Sequence, residues 1–288
     1  QRQMCIRDRL SLLFHCLNIL LLFTLFKKLK LHDTVTLIAC SIFALHPMQV
    51  ESVAWVSAFS TLCFTSFLLL GLSQYFKYHE SQNKGALILT YLFFILACFA
   101  KSAAIIFPLF LISIDWFYFE KRSLKTILNK VIFFAISILF GLITLFSRES
   151  AGHLSDLSIS FGILDRLFLI FHSILFYPFK FIFPNQLSAF YAYPNLSDGF
   201  LPITYYLSPV ALLVIVVLFW KIKPPKIIYL GTFFYLIGIA LVLQFVPVGN
   251  QITTDRYIYF PMIGLLLIFS HFISKIKQTK IQLSLIHI

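Results

Sequence analysis

The sequence predicts an all-α polytopic membrane protein, a bundle of about nine transmembrane helices with a long outer loop that carries an interfacial helix. Three observations point there. First, the 288-residue chain is 60% hydrophobic, 18% aromatic and only 12% charged, where a soluble domain carries roughly a quarter charged residues. With a mean hydropathy of +0.91, its apolar residues exceed what one soluble core hides. Second, the apolar residues fall in long runs separated by short polar breaks. Third, the net charge of +12 sits in clusters at alternate breaks, the pattern of cytoplasmic loops. Basic residues scattered this way do not form a nucleic-acid-binding stripe, so no nucleic-acid partner is expected.

In chain order, the spans run over residues 10–26, 34–45, 53–76, 86–100, 103–119, 131–146, 206–220, 227–245 and 257–273. Lys27, Lys28 and Lys30 close the first. Lys77 and Lys84 bracket the break after the third, and Lys121, Arg122, Lys125 and Lys130 follow the fifth. Lys221, Lys223 and Lys226 lie between the seventh and eighth, and Lys275 to Lys280 follow the last. These define the inner face. The other face keeps Lys101, Arg148, Arg166, Lys180 and Arg256 with most of the acids, and is mixed in sign.

The stretch Phe161–Phe183 is apolar enough to suggest another crossing, but one crossing there places Lys221–Lys226 outside. Asp165, Arg166, Pro178 and Lys180 leave an uninterrupted run of only Leu167–Tyr177, about 17 Å as a helix. It is therefore expected as an interfacial or re-entrant helix within an outer loop, Ser147–Tyr205.

Both ends look foreign. Codons CTG TCT CTT ATA CAC ATC for Leu283–Ile288 read on the opposite strand, in a shifted frame, as Met-Cys-Ile-Arg-Asp, the sequence of Met4–Asp8. This matches a transposase adapter, so residues 1–9 and 283–288 are expected to be adapter-encoded and 10–282 to be a fragment of a membrane domain. Cys16, Cys40, Cys63 and Cys98 lie singly in apolar runs and suggest neither a disulfide framework nor a metal cluster.

Chemistry-bearing side chains gather on the outer face. Glu51 and His46 lie in the polar run His46–Trp55, where a carboxylate beside an apolar span needs water, a partner or a task. Lys101 stands alone at a helix junction, the place for a phosphate ligand or a snorkelling anchor. Asp255 and Arg256 form either a short-loop ion pair or part of a site, and Thr253-Thr254-Asp255 also reads as an N-cap. Asp115, beside Trp116 near the inner end of the fifth span, reads as structural, and His15, His172 and His271 as core or interface histidines.

Four segments occur in order: HPMQVESVAWVS (His46–Ser57), AKSAAIIFPLFLISIDW (Ala100–Trp116), FPNQLSAFYAYP (Phe183–Pro194) and VPVGNQITTDRYIYFPMIGL (Val246–Leu265). Together they resemble the membrane half of the transmembrane and tetratricopeptide-repeat proteins and their bacterial relatives, which are similar to protein O-mannosyltransferases of the GT-C fold. The resemblance covers about residues 11–270. It implies transfer of a mannose-like sugar from a polyprenyl-phosphate donor to Ser or Thr hydroxyls of a protein acceptor on the non-cytoplasmic side. The setting it implies is a multi-pass protein of a bacterial inner membrane, or of the endoplasmic reticulum in a eukaryote, with membrane lipid around it. In that scheme Lys101 and Arg256 hold the donor phosphate, and Asp255 and Tyr191 add substrate contacts. Glu51 and His46 are the catalytic candidates, orienting the acceptor or organising the site; no metal is required, and no cofactor beyond the lipid-linked sugar is expected. The first visible span, with Phe14-His15-Cys16-Leu17-Asn18, resembles the family's second helix, so the principal acidic loop is expected upstream and this fragment is expected to be inactive alone. The family's Lys-Pro is here Lys101-Ser102, and Ala58-Phe59-Ser60-Thr61 replaces a more charged stretch. A membrane transporter or a scaffold is the rival class: a transporter places ionisable groups at mid-membrane depth, and a scaffold tolerates their loss.

Overall fold

A computed structural model describes residues 2–150, 161–194, 200–243 and 251–276, with side chains from residue 8 and excluding 148–150. Twelve α-helices are described: α1 Arg2–Lys28, α2 Asp33–Leu45, α3 Val50–Ala54, α4 Phe59–Ser81, α5 Lys84–Ala100, α6 Phe107–Phe117, α7 Leu124–Leu128, α8 Val131–Ser150, α9 Ile163–Ile182, α10 Ile203–Ile222, α11 Lys226–Ile239 and α12 Met262–Ser274. Among the described residues, each of the nine apolar runs is helical over most of its length. Three segments, Asp8–Lys28, Val56–Ser81 and Ile203–Ile222, are long and apolar enough to cross a membrane, and α2 with Pro47–Ala54 makes a further candidate bent by 53°. The apolar stretches Lys84–Ala100, Ser102–Phe117, Val131–Ser147, Lys226–Val242 and Met262–Ser274 are shorter. The chain is thus a nearly all-α membrane protein. α1 runs through residues 2–9, so the boundary expected at Leu10 leaves no mark on the backbone, and 283–288 lie outside the described residues.

The turns follow from local chemistry. Gln82 takes a left-handed conformation (φ 53°), and Asn83 accepts the Gly85 N–H at 2.8 Å to start α5. Lys101 breaks out of the helix into extended backbone, a 3-10 turn over Ser102–Ile106 follows, and Pro108 opens α6 where its missing N–H costs nothing. Lys223, also left-handed, ends α10 before Pro224-Pro225.

The ends of the helices sort as the charges require. Tyr118 Oη donates to the Lys28 carbonyl (2.7 Å), Lys121 reaches His79, and Lys226 pairs with Glu120, so four basic breaks share one end. α5, about 26 Å long at its 17 residues, separates Lys84 at that end from Lys101 at the other. The core between them is aromatic: Phe43, Phe76, Phe107, Phe110 and Phe260 are buried. It is pinned near α1 by a polar knot. Asn18 donates to the Leu62 carbonyl (3.1 Å) and accepts from Ser66 Oγ (2.7 Å), while His15 Nδ1 meets Tyr259 Oη at 2.7 Å.

α11 and α12 cross at two glycines. A Cβ on Gly264 would lie 2.4 Å from the Gly231 carbonyl and 2.4 Å from the Tyr235 nitrogen. Small residues permit such approach between membrane helices. Both obstacles are backbone, so Gly264→Ala must part the helices. It is expected to cost about 1–3 kcal/mol, read as a lower melting temperature in detergent; an unchanged melting temperature would contradict the packing.

Two findings depart from expectation. α9 has 20 residues, not 11, about 30 Å in length, and runs through Asp165, Arg166 and Pro178. Pro178 leaves the Ile174 carbonyl without its helical donor, and Tyr235 Oη supplies one at 2.6 Å. Short length therefore gives no ground against crossing. Its contacts are more telling. From start to finish α9 meets Tyr206 and Tyr205 at the start of α10, Thr254 before α12, and His46 at the end of α2. The second departure is a two-stranded antiparallel pair, β1 Tyr191–Ala192 with β2 Gln251–Thr253, inside a chain read as purely helical.

Candidate functional site

α2 stops at His46-Pro47, and the chain turns through a 3-10 turn into the short α3. Glu51 and Trp55 stand four apart, so they share a face, and both serve Arg256. The Arg256 backbone N–H donates to Glu51 Oε2 at 2.7 Å and its Nη1 to Oε1 at 2.9 Å. The guanidinium centre lies 4.5 Å from the Trp55 ring and 5.4 Å from Tyr257. The Glu51 side chain is only 7% exposed. Burial raises its pKa, and the Arg256 bonds and charge oppose the rise. Glu51 therefore acts on Arg256 first; it is a holding residue.

Lys101 has no such partner. Its Nζ donates to Thr61 Oγ1 at 2.7 Å and sits 5.8 Å from the Phe64 ring centre. Among the described residues no carboxylate forms an ion pair with it. Burial, aided by repulsion from Arg256 and opposed by Glu51, pulls its pKa down to about 8. Its side chain is half-buried and borders a groove, a position that suits a ligand for an anion as well as a snorkelling anchor.

The two cations face a groove of about 620 Å³ at the outer end. Ser57, Ser60 and Thr61 form a hydroxyl band along it, and Ile105, Leu145 and Leu241 give an apolar flank. The arrangement can hold an anion on Lys101 and Arg256, hydrogen-bond a hydroxylated group beside it, and accept a greasy substituent. The pH dependence follows from the ammonium. Below pH about 8 Lys101 is charged; above it, the charge is lost, whereas an ordinary lysine keeps it to about 10.4. Binding of an anion by this groove should weaken as pH rises through about 8, and Lys101→Arg should abolish that limb because Arg stays charged. A titration of binding checks this, and equal profiles would contradict it.

The other candidates stand elsewhere. Asp255 does not pair with Arg256. Its Oδ2 accepts the Ser188 N–H at 2.8 Å and its Oδ1 the Tyr191 hydroxyl at 3.0 Å. Burial raises the Asp255 pKa against these bonds. Asp255 and Tyr191 thus fasten the outer loop to the backbone beside Arg256, and neither lines the groove. Thr254 precedes the turn at 255–258, but its side chain makes no capping bond. Both His46 nitrogens are engaged, Nδ1 accepting the Met48 N–H (3.3 Å) and Nε2 donating to the Phe181 carbonyl (3.0 Å). His46 stacks on Phe181 and ties α9 to α2, away from the groove. The side chains of Arg148 and Glu149, and His153, lie outside the described residues. Thr61, Ser57 and Ser60 were not candidates by sequence; hydroxyls one turn apart near an isolated lysine were the available signal.

No family model, curated protein or solved structure matches the chain.

Proposed function

We propose that the chain is part of a membrane glycosyltransferase of the GT-C kind, moving a mannose-like sugar from a polyprenyl-phosphate carrier to Ser or Thr hydroxyls of a protein on the non-cytoplasmic side. One observation carries the reading: Lys101, a half-buried ammonium with no ion pair among the described residues, lines with Arg256 a groove that has a hydroxyl band and an apolar flank. Such a site suits a phosphate that arrives on a lipid. The ordered motifs of the sequence supply the rest, namely the sugar and the protein acceptor.

In this reading the nine apolar helices form one bundle in an inner bacterial or endoplasmic reticulum membrane, and α9 lies across its outer ends as an interfacial helix. Its contacts with the outer ends of α2 and α10 and with Thr254 favour that placement. Lys101 and Arg256 bind the donor phosphate, and Glu51 holds Arg256. His46, Asp255 and Tyr191 fix the surrounding loops. The acceptor's proton goes to an acidic residue of the upstream loop that the motif resemblance implies.

The test is sugar transfer by a full-length homologue carrying the four motifs, supplied with labelled polyprenyl-phosphate mannose and an acceptor protein. Label on acceptor Ser or Thr is expected. A folded homologue that transfers none, with mannose or another hexose, would refute the reading.

A further inference from the structure

The inner rim carries a second juxtaposition, independent of the outer groove. At the inner ends of α6, α10 and α11, Tyr229 stacks on Phe117 (5.9 Å, 9°) and meets Phe219 edge-on at 5.9 Å. Cations surround this aromatic trio. Arg122 lies 5.9 Å from the Phe117 ring centre and donates its Nε–H to the Trp116 carbonyl at 3.2 Å. Lys221 and Lys223 stand two and four positions after Phe219 at the end of α10, and both are exposed. The nearest acid, Glu120, is spent on Lys226. Among the described residues, Arg122, Lys221 and Lys223 form no ion pair, though the charge of Arg122 also acts on Glu120. The neighbouring surface is apolar: Trp220 is 75% exposed, and Leu218 and Phe233 are also open.

We infer that this rim seats the headgroup of an anionic phospholipid, with Arg122, Lys221 and Lys223 on its phosphate and its acyl chains along the exposed flank of α10 and α11. Basic pockets beside helices on the cytoplasmic side favour acidic headgroups, and each lysine or arginine near the surface adds to the attraction. Aromatic rings at that depth suit the interfacial layer. A second copy is a poorer occupant, because a two-fold contact through this face would set the same cations against each other. A soluble anion would leave the open leucine and aromatic flank uncovered.

The test is native mass spectrometry of the purified chain after exchange into nanodiscs of equal phosphatidylglycerol and phosphatidylcholine at low salt. One retained phosphatidylglycerol per chain is expected. The triple variant Arg122→Gln/Lys221→Gln/Lys223→Gln should lose the preference, by a factor on the order of 10². The matched variant Lys30→Gln/Lys77→Gln/Lys84→Gln, which removes the same charge elsewhere on the inner face, should keep it. So should Arg122→Lys/Lys221→Arg/Lys223→Arg, and melting temperatures show that each variant is folded. Equal loss in both Gln triples, no preference in the unaltered chain, displacement by inorganic phosphate alone, or a dimer sealed through this face would each overturn the inference.

Discussion

Replacing Lys101 with Ala, in a full-length homologue carrying these motifs, should slow sugar transfer by about 10²–10³-fold while leaving the fold intact. Removing one preorganised charge partner of a developing anion typically costs about 2.7–4 kcal/mol of transition-state stabilisation, which converts to that rate. Stability should hold or rise slightly, because an ammonium whose charge is disfavoured by burial is being deleted. Arg256→Ala separates from it in a useful way. It should lose activity similarly, but it also strands the buried Glu51 carboxylate, whose loss of partner costs on the order of 3–5 kcal/mol. Activity per folded molecule and melting temperature, measured together, distinguish the two. Near-normal specific activity in Lys101→Ala would remove it from the donor site.

An equally large effect on stability should come from the opposite end. Asp115, with its side chain 1% exposed, accepts the Tyr75 hydroxyl at 2.8 Å and the Lys130 ammonium at 2.7 Å. His79 Nε2 stands 3.2 Å away, close enough to pair but misaligned for a hydrogen bond. Lys121 donates to its Nδ1 at 3.0 Å, which places the ring proton on Nε2, toward Asp115. The cluster binds α4, α6 and the start of α8 at one point. Asp115→Leu should lower stability by about 3–5 kcal/mol, because it leaves the Lys130 charge buried alone. Lys130→Met should do likewise. The double variant should recover much of the loss, as an apolar pair replaces an ionic one. Thermal unfolding in detergent of the four proteins gives the coupling, and additive losses would contradict it.

Much of the fold was legible in the sequence because its signals are local. Apolar runs give helices, and Lys27 and Lys101 mark their limits, whereas α4 runs on past Lys77 to Ser81. The inner-end contacts of Lys121 and Lys226 agree with the charge pattern. What escaped is non-local. Pro178 looked like a stop, since nothing nearby shows that Tyr235, 61 positions from Ile174, satisfies the freed carbonyl. The strand pair joins Tyr191 to Thr253, and pieces of two and three residues are too short to show strand periodicity. In the site, Asp255 and Arg256 looked like a pair because they are adjacent. The turn at 255–258 sends them apart, one to Tyr191 and the other to Glu51, 205 positions away. Lys101 was visible as an isolated cation; that it is half-buried against Thr61 and Phe64, with no ion pair among the described residues, required the packing of α4 and α5.

Photo-crosslinking tests the donor groove most directly. A polyprenyl-phosphate sugar bearing a diazirine beside the phosphate is irradiated with the folded protein, and adducts are mapped by peptide mass spectrometry. The groove predicts adducts on 55–61 and 101–105, competed by unlabelled donor and strongly reduced by Lys101→Ala. Adducts confined to other segments, or undiminished in that variant, would contradict a donor site built on Lys101.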